Sequence, residues 1–183
     1  MIIRLHDCPP QPWKNGLGST REIAVQPSAA GGDFLWRVSI AEVDSAAPFS
    51  SFPGVDRQIV LLDGDGFTMT LDDGRTHALT TPFAPFAFAG ESGVAVSLVN
   101  GPTRDFNLMV RRAQAGGDVL VWQQPGEQLP DPSTVLVYCA RGMVDTAEGL
   151  LHAGDAWRPS ATIPVRLHPG ALALAVRIGQ YTA

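Results

Sequence analysis

The sequence predicts an all-β protein, a sandwich or barrel of short strands. Nineteen glycines and fifteen prolines interrupt the chain of 183 residues, with a break roughly every eight to twelve residues. Short runs rich in Val, Ile, Leu and Phe lie between the breaks, and few segments show helical periodicity. The hydrophobic content of 45% is enough for the core of one domain or of two small fused domains.

The first part of the chain contains six predicted strands. They cover residues 21–25, 34–43, 57–62, 67–71, 94–99 and 106–112. In the second of these strands, Arg37, Ser39 and Ala41 alternate with large apolar residues and so share one face. Likewise, Asn107 and Met109 share a face of the sixth strand. The glycine-rich residues 63–66 predict a tight turn between the third and fourth strands.

The second part repeats this layout more weakly. A break at residues 113–117 and a Pro- and Gln-rich stretch at 123–132 precede predicted strands at 134–140, 142–145, 164–167 and 171–178. Each part has a hairpin, a Pro-containing crossover and a last apolar strand, which favours a repeat of about 70 residues. The same spacing also occurs in any all-β chain, so both interpretations remain open. We expect a first unit at residues 1–112 and a second at 113–183, packed as one compact protein.

Composition and charge exclude several classes of protein. Thirteen basic residues are outnumbered by eighteen acidic ones, a net charge of −5, which argues against nucleic acid as a partner. No apolar run is long enough to span a membrane, and the N-terminus lacks the apolar region of a signal peptide. The two cysteines suggest free thiols. We expect a soluble cytoplasmic protein, in which exposed edge strands would allow a homodimer.

Local motifs for metal binding and nucleophilic catalysis are missing from the sequence. The four histidines are widely separated, and there is no Cys-x-x-Cys or Gly-x-Ser-x-Gly motif. The stretch 16–20, Gly-Leu-Gly-Ser-Thr, has the composition of a phosphate-binding loop. However, Lys14 precedes the glycines instead of following them, and a strand rather than a helix comes next.

Arginines within the predicted strands are the strongest candidates for function. Arg37, Arg57 and Arg111 all lie in or beside apolar runs. A buried guanidinium must be paired, because an unpaired buried charge costs several kcal/mol or so. The partner is either a protein carboxylate, such as Glu22, Glu42 or Asp105, or the carboxylate of a ligand held bidentately.

Six motifs, which occur in order over residues 10–112, together resemble the HutD/Ves family. They are Pro12-Trp13-Lys14-Asn15-Gly16 with Gly18-Ser19-Thr20 and Glu22; residues 36–41; Asp44 with residues 48–57; residues 61–64; residues 86–90; and residues 100–109. The last 70 or so residues match only in general layout. Leu17 departs from the family pattern, in which a further glycine is common, and should stiffen this loop.

The resemblance implies a jelly-roll-like, cupin-type β-barrel, built as a bicupin from two fused units, with no cofactor. It implies a non-catalytic protein that binds a small carboxylate metabolite, of the urocanate or formylglutamate class, and that modulates bacterial histidine utilisation or a stress response. In a metal-binding cupin, two histidines and a glutamate precede the turn glycine, and Arg57 falls at the glutamate position. A guanidinium there repels a metal ion and attracts an anion.

The predicted ligand site therefore centres on Arg57. Arg37, Ser39 and Asn107 add donors, whereas Phe52, Phe86 and Met109 supply apolar walls. Lys14, Asn15 and Glu22 close the mouth. Two alternatives remain open: a metal-independent enzyme that uses Glu22, Asp56 or Lys14 as acid–base groups, and a structural or protein-binding module whose arginines are locked in internal ion pairs.

Overall fold

The computed structural model describes residues 1–29 and 31–181. Apart from one 3₁₀ helix, Leu5–Asp7, the regular elements of this part of the chain are strands. In chain order the strands are β1 (Ile2–Ile3), β2 (Gln11–Pro12), β3 (Gly18–Gln26), β4 (Trp36–Val43), β5 (Val55–Asp63), β6 (Phe67–Leu71), β7 (Thr76–Leu79), β8 (Phe86–Ala89), β9 (Val94–Leu98), β10 (Thr103–Arg111), β11 (Ala115–Trp122), β12 (Gly126–Gln128), β13 (Thr134–Arg141), β14 (Met143–Thr146), β15 (Gly149–His152), β16 (Ala156–Trp157), β17 (Val165–Leu167) and β18 (Leu172–Gln180).

The chain forms two units, whose bounds differ from the expected 1–112 and 113–183. The central unit is Pro10–Ala115, and the terminal unit combines Met1–Pro9 with the chain from Gly116 onward. The first nine residues join the terminal unit because β1 pairs antiparallel with β16. In addition, the Asp155 carboxylate accepts hydrogen bonds from the Arg4 guanidinium, at 2.6 Å, and from the Leu5 N–H, at 3.1 Å. These long-range contacts have no local signal in the sequence.

Two antiparallel sheets build the central unit. A six-stranded sheet has the order β2-β3-β4-β10-β5-β8, and a three-stranded sheet has the order β7-β6-β9. The predicted turn at residues 63–66 connects β5 to β6. Gly64 and Gly66 both have positive φ there, and a Cβ on either would collide with backbone atoms, so this turn requires glycine.

The core of the central unit forms where alternate apolar residues of β5 and β6 face each other. Ile59 and Leu61 pack against Phe67, Met69 and their neighbours. Because the side-chain period of a strand is two residues, the inner face of the long strands carries alternate residues. On β4 and β10, polar side chains stand among those inward positions, and they mark the site described below.

The terminal unit also has two sheets, in the orders β1-β16-β13-β18-β11 and β12-β17-β14-β15. Its core includes Val137, Leu151 and Trp157, all fully buried. Strand β11 begins at Ala115, inside the predicted break at 113–117. Two glycines lower the strand propensity of this segment, but β11 pairs with the apolar β18 at the edge of its sheet, and that tertiary contact overrides the propensity.

Both cysteines, Cys8 and Cys139, are buried, and no disulfide joins them in the described structure. In the described residues, no helix has the length and apolar character needed to cross a membrane.

Candidate functional site

A cavity of about 590 Å³ lies within the central unit. Strand register explains its lining. Arg57 of β5 lies opposite Met109 of β10, which lies opposite Arg37 of β4. One step along the sheet, Asn107 pairs with Ser39. These five side chains all line the cavity. Alternation in the sequence predicted one shared face for Arg37 and Ser39 and another for Asn107 and Met109.

Arg57 is buried in this cavity without a carboxylate partner among the described residues. It is 6% exposed and donates a hydrogen bond from Nη2 to the Asn107 Oδ1, at 2.9 Å. Its Nε has no hydrogen-bond partner in the described structure. Burial, and secondarily the positive charge of Arg37, lower the pKa of Arg57 to about 10.

Three aromatic rings surround the Arg57 guanidinium. Its Cζ lies 5.2 Å from the ring centroid of Phe49, 5.5 Å from that of Phe52 and 4.8 Å from that of Phe88. These distances allow cation–π attraction, which offsets part of the cost of burying the charge. The rings leave the charge without a counter-ion, however. Phe52 was predicted as a wall of the site, whereas Phe49 and Phe88 are additional members that the sequence patterns did not single out.

Glu22 and Phe86, both predicted for the site, do not line the cavity. The Glu22 carboxylate accepts a hydrogen bond from the Arg37 Nε at 2.8 Å, so that it neutralises Arg37 instead of closing the mouth. The ring of Phe86 stacks on His77 at 3.6 Å, where the edge strands β7 and β8 approach each other. The possible acid–base group Asp56 is also elsewhere, in an ion pair with Arg112.

Asp105 is a lining residue that the sequence analysis considered only as a counter-ion for an arginine. It is fully buried, and its Oδ2 accepts a hydrogen bond from the Thr103 hydroxyl at 3.2 Å. Its Oδ1 has no partner in the described structure. Burial raises the pKa of Asp105 to about 7, a shift that the Thr103 hydrogen bond opposes. Its position two residues before Asn107 was the signal in the sequence that could have placed it here.

The segment before β3 forms the rim of the cavity. Lys14 and Asn15, which the sequence analysis assigned to the mouth of the site, are exposed and line the cavity. The Asn15 Oδ1 accepts a hydrogen bond from the Leu17 N–H at 3.0 Å, which shapes the turn, and the Trp13 Nε1 donates to the Thr20 hydroxyl at 2.8 Å. These two hydrogen bonds hold the rim segment in place. A strand follows the segment, so no helix N-terminus is present to bind a phosphate.

The chemistry of this cavity suits an anion more than a metal ion. Within residues 1–29 and 31–181, no group of three His, Cys, Asp or Glu side chains could hold a metal. Three basic side chains, Lys14, Arg37 and Arg57, line the cavity together with a single carboxyl group, that of Asp105. The walls combine aromatic rings with polar donors, the usual lining of a small-molecule site.

Comparisons with known proteins agree with this fold. The family model for HutD matches residues 5–172. A Pseudomonas putida protein named as an uncharacterized 21.2 kDa protein in the hutC 3' region is 36% identical over 146 residues, which are 80% of this chain and 76% of that protein. Protein Ves of Citrobacter koseri is 43% identical over 110 residues, 60% of this chain, and the match spans only 56% of that relative's length.

Among solved structures, HutD from Pseudomonas fluorescens SBW25, solved in a formate condition, has a TM-score of 0.88 and 30% sequence identity. That match covers 100% of this chain and 99% of the other chain. It confirms the prediction of an all-β, cupin-type fold. Descent of the two units from a fused pair of cupins stays a prediction.

Proposed function

The chain belongs to the HutD family, and from that premise we propose that its central cavity binds a small carboxylate metabolite of the urocanate or formylglutamate class. On this proposal the protein is a non-catalytic sensor that modulates histidine utilisation or a stress response in bacteria. The Pseudomonas relatives support the link to histidine utilisation, because one is named from the hutC region and another is HutD itself.

The observation that carries this proposal is the unpaired charge of Arg57. A guanidinium that is 6% exposed normally has a carboxylate partner, because burial of a lone charge costs several kcal/mol or so. Among the described residues, its hydrogen-bonding partner is the neutral Asn107 side chain. A purely structural role would be filled at lower cost by an apolar side chain. A ligand carboxylate would supply the missing counter-ion, and the guanidinium can hold it through two parallel hydrogen bonds.

The rest of the cavity supports the same class of ligand. Its volume of about 590 Å³ suits a small metabolite. The rings of Phe49 and Phe52 offer flat apolar surface beside the cation, which suits a planar or short apolar body attached to the carboxylate. At the rim, Lys14 adds positive charge, which favours the approach of an anion.

The test is a binding measurement on wild-type protein and on Arg57→Met, with urocanate and formylglutamate as probes. We expect calorimetric binding to wild type and a loss of at least about thirtyfold in Arg57→Met, since removal of one partner of a buried charge pair typically costs 2–5 kcal/mol or so. Arg112→Met is the matched control, because Arg112 pairs with Asp56 and Glu91 at the surface and does not line the cavity. Equal affinity of wild type and Arg57→Met would contradict the assignment.

Asp105 favours one second candidate function, acid–base catalysis on the same ligand class. A carboxyl group with a pKa of about 7 exchanges protons readily at neutral pH. This group replaces the earlier candidates Glu22 and Asp56, which are held in ion pairs. Incubation of the protein with the same probes, followed by mass spectrometry, separates the two functions: an unchanged ligand supports the sensor, and conversion that Asp105→Asn abolishes supports the enzyme.

A further inference from the structure

Asp105 lines the cavity and has one acceptor atom without a hydrogen-bond partner among the described residues. The side chain is 0% exposed, and one of its oxygens, Oδ2, is held by the Thr103 hydroxyl. The other oxygen, Oδ1, has no partner among the described residues. Buried polar atoms are almost always hydrogen-bonded, so an orphan that lines an open cavity calls for a partner from outside the chain.

The neighbours of Asp105 do not supply that partner. Across the sheet it lies between Ala41 of β4 and Leu61 of β5, both apolar. On its own strand, the Asn107 Oδ1 accepts the hydrogen bond of Arg57. The charged groups that line the cavity with it, which are Lys14, Arg37 and Arg57, form no ion pair with it in the described structure.

Arg57 and Asp105 therefore mark two separate ends of the site. Asn107 stands between them, bonded to Arg57 on one side and two residues from Asp105 on the other. Arg57 is in register with Met109, four residues from Asp105, but its guanidinium reaches Asn107, which is only two residues from Asp105. A single ligand can bridge the two ends only if it carries a different polar group at each end.

We propose that Asp105 is a second recognition point of the cavity, which accepts a hydrogen bond from an N–H group of the ligand. This inference rests on the proposed function, in which Arg57 holds the carboxylate. It narrows the ligand class to small carboxylates that carry an N–H donor, either a heteroaromatic N–H or a secondary amide, at the end of the molecule away from Arg57.

Electrostatics favours a donor at this end over a second acidic group. An ionised carboxylate only accepts hydrogen bonds, and an N–H donor at Oδ1 favours the ionised form of Asp105. A second ligand carboxylate would place two like charges together, unless one of them took up a proton. An N–H donor satisfies Oδ1 without that penalty.

The experiment compares two acrylates of the same shape, a pyrrolylacrylate with a ring N–H and a furylacrylate with a ring oxygen in its place. Their affinities are measured by calorimetry on wild type, Asp105→Leu and Asp105→Asn. Wild type should prefer the pyrrole by about tenfold or more, since a hydrogen bond to a charged group is discriminating. Asp105→Leu should bring the preference within about twofold, whereas Asp105→Asn, which keeps an acceptor oxygen, should retain part of it.

The outcomes separate this inference from the proposed function. Equal affinity of wild type for both acrylates, with both lost in Arg57→Met, overturns the role of Asp105 and leaves the carboxylate site standing. Failure of wild type to bind either acrylate overturns both. Tighter binding of a glutaconate dianion than of the pyrrole would mean that Asp105 donates as an acid, which also overturns the inference. If Asp105→Leu does not fold, the wild-type preference and Asp105→Asn still decide, together with the proton chemical shift of the bound pyrrole N–H.

Discussion

Replacement of Arg57 by methionine should stabilise the ligand-free protein while it abolishes binding. The guanidinium is buried against three aromatic rings and has no carboxylate partner in the described residues. Methionine has a similar length and no charge, so it can fill the same space next to the rings. A group kept for binding at the expense of stability should show this trade-off.

The magnitude follows from the lowered pKa of Arg57. Burial lowers the pKa of Arg57 from its ordinary value to about 10, which corresponds to a penalty of about 3 kcal/mol in the free energy of folding. Cation–π contacts and the hydrogen bond to Asn107 offset about half of this penalty. We therefore expect the free energy of unfolding to rise by about 1–2 kcal/mol in Arg57→Met, and the melting temperature to rise by about 3–6 °C.

The pH dependence of this stability effect follows from the linkage between protonation and folding. Because the folded pKa of Arg57 lies below its unfolded value, the charge destabilises the fold fully at every pH below about 10, and this penalty is relieved only as pH rises from there towards the unfolded pKa. The stability gain of Arg57→Met should therefore be constant across neutral pH.

Urea unfolding without ligand measures the effect, and Arg37→Met is the matched control. Arg37 lies on the same row of the sheet but has the Glu22 carboxylate at 2.8 Å. Its replacement should leave stability unchanged or slightly lower, because it removes a paired charge. Loss of more than about 1 kcal/mol in Arg57→Met, or equal effects of the two substitutions, would refute the reasoning that the Arg57 charge is uncompensated.

Two further predictions concern Asp105 and Gly18. Because burial raises the pKa of Asp105 to about 7, wild type should lose stability as pH rises from about 4 to about 7. Asp105→Asn should avoid that loss, so that the free energies of unfolding of the two proteins, measured in urea, diverge by about 2–4 kcal/mol in this window. Parallel pH profiles would count against the raised pKa. Gly18→Ala should destabilise the protein by about 1–3 kcal/mol in thermal unfolding, since the new Cβ would meet the backbone of Glu42 and the ring of Trp13. Gly179→Ala is the control and should be nearly neutral, because this strand glycine has open space around it. Equal melting temperatures of the two variants would show that the rim segment rearranges to accept the new Cβ.

Periodicity predicted the part of the site that lies on long regular strands. Alternation in residues 34–43 and 106–112 put Arg37 with Ser39, and Asn107 with Met109, on shared faces, and in the structure these side chains line the same cavity as Arg57. This worked because a side-chain period of two leaves no freedom once one face is apolar.

The prediction did less well where neighbours in space decide the role of a residue. The sequence predicts Phe86 as an apolar wall of the site, but in the structure its ring stacks on His77 instead. That contact depends on how β7 and β8 approach each other at the edges of their sheets. The sequence predicts Glu22 at the rim of the site, but in the structure its carboxylate pairs with Arg37 on the adjacent strand. The bounds of the units were displaced for the same reason, since only pairing with β16 assigns the first residues to the terminal unit.

The sequence by itself determined the all-β fold, the residues that share a face on the long strands and the absence of local metal-ligand motifs, because these depend on patterns a few residues long. Only the tertiary structure decided which arginine lacks a counter-ion and which carboxyl group is buried with a free oxygen. Arg37 and Arg57 look alike in the sequence, but one finds Glu22 and the other finds three aromatic rings. The charge balance of a site is set by atoms that approach within about 4 Å, and in this protein those atoms come from segments far apart in the chain.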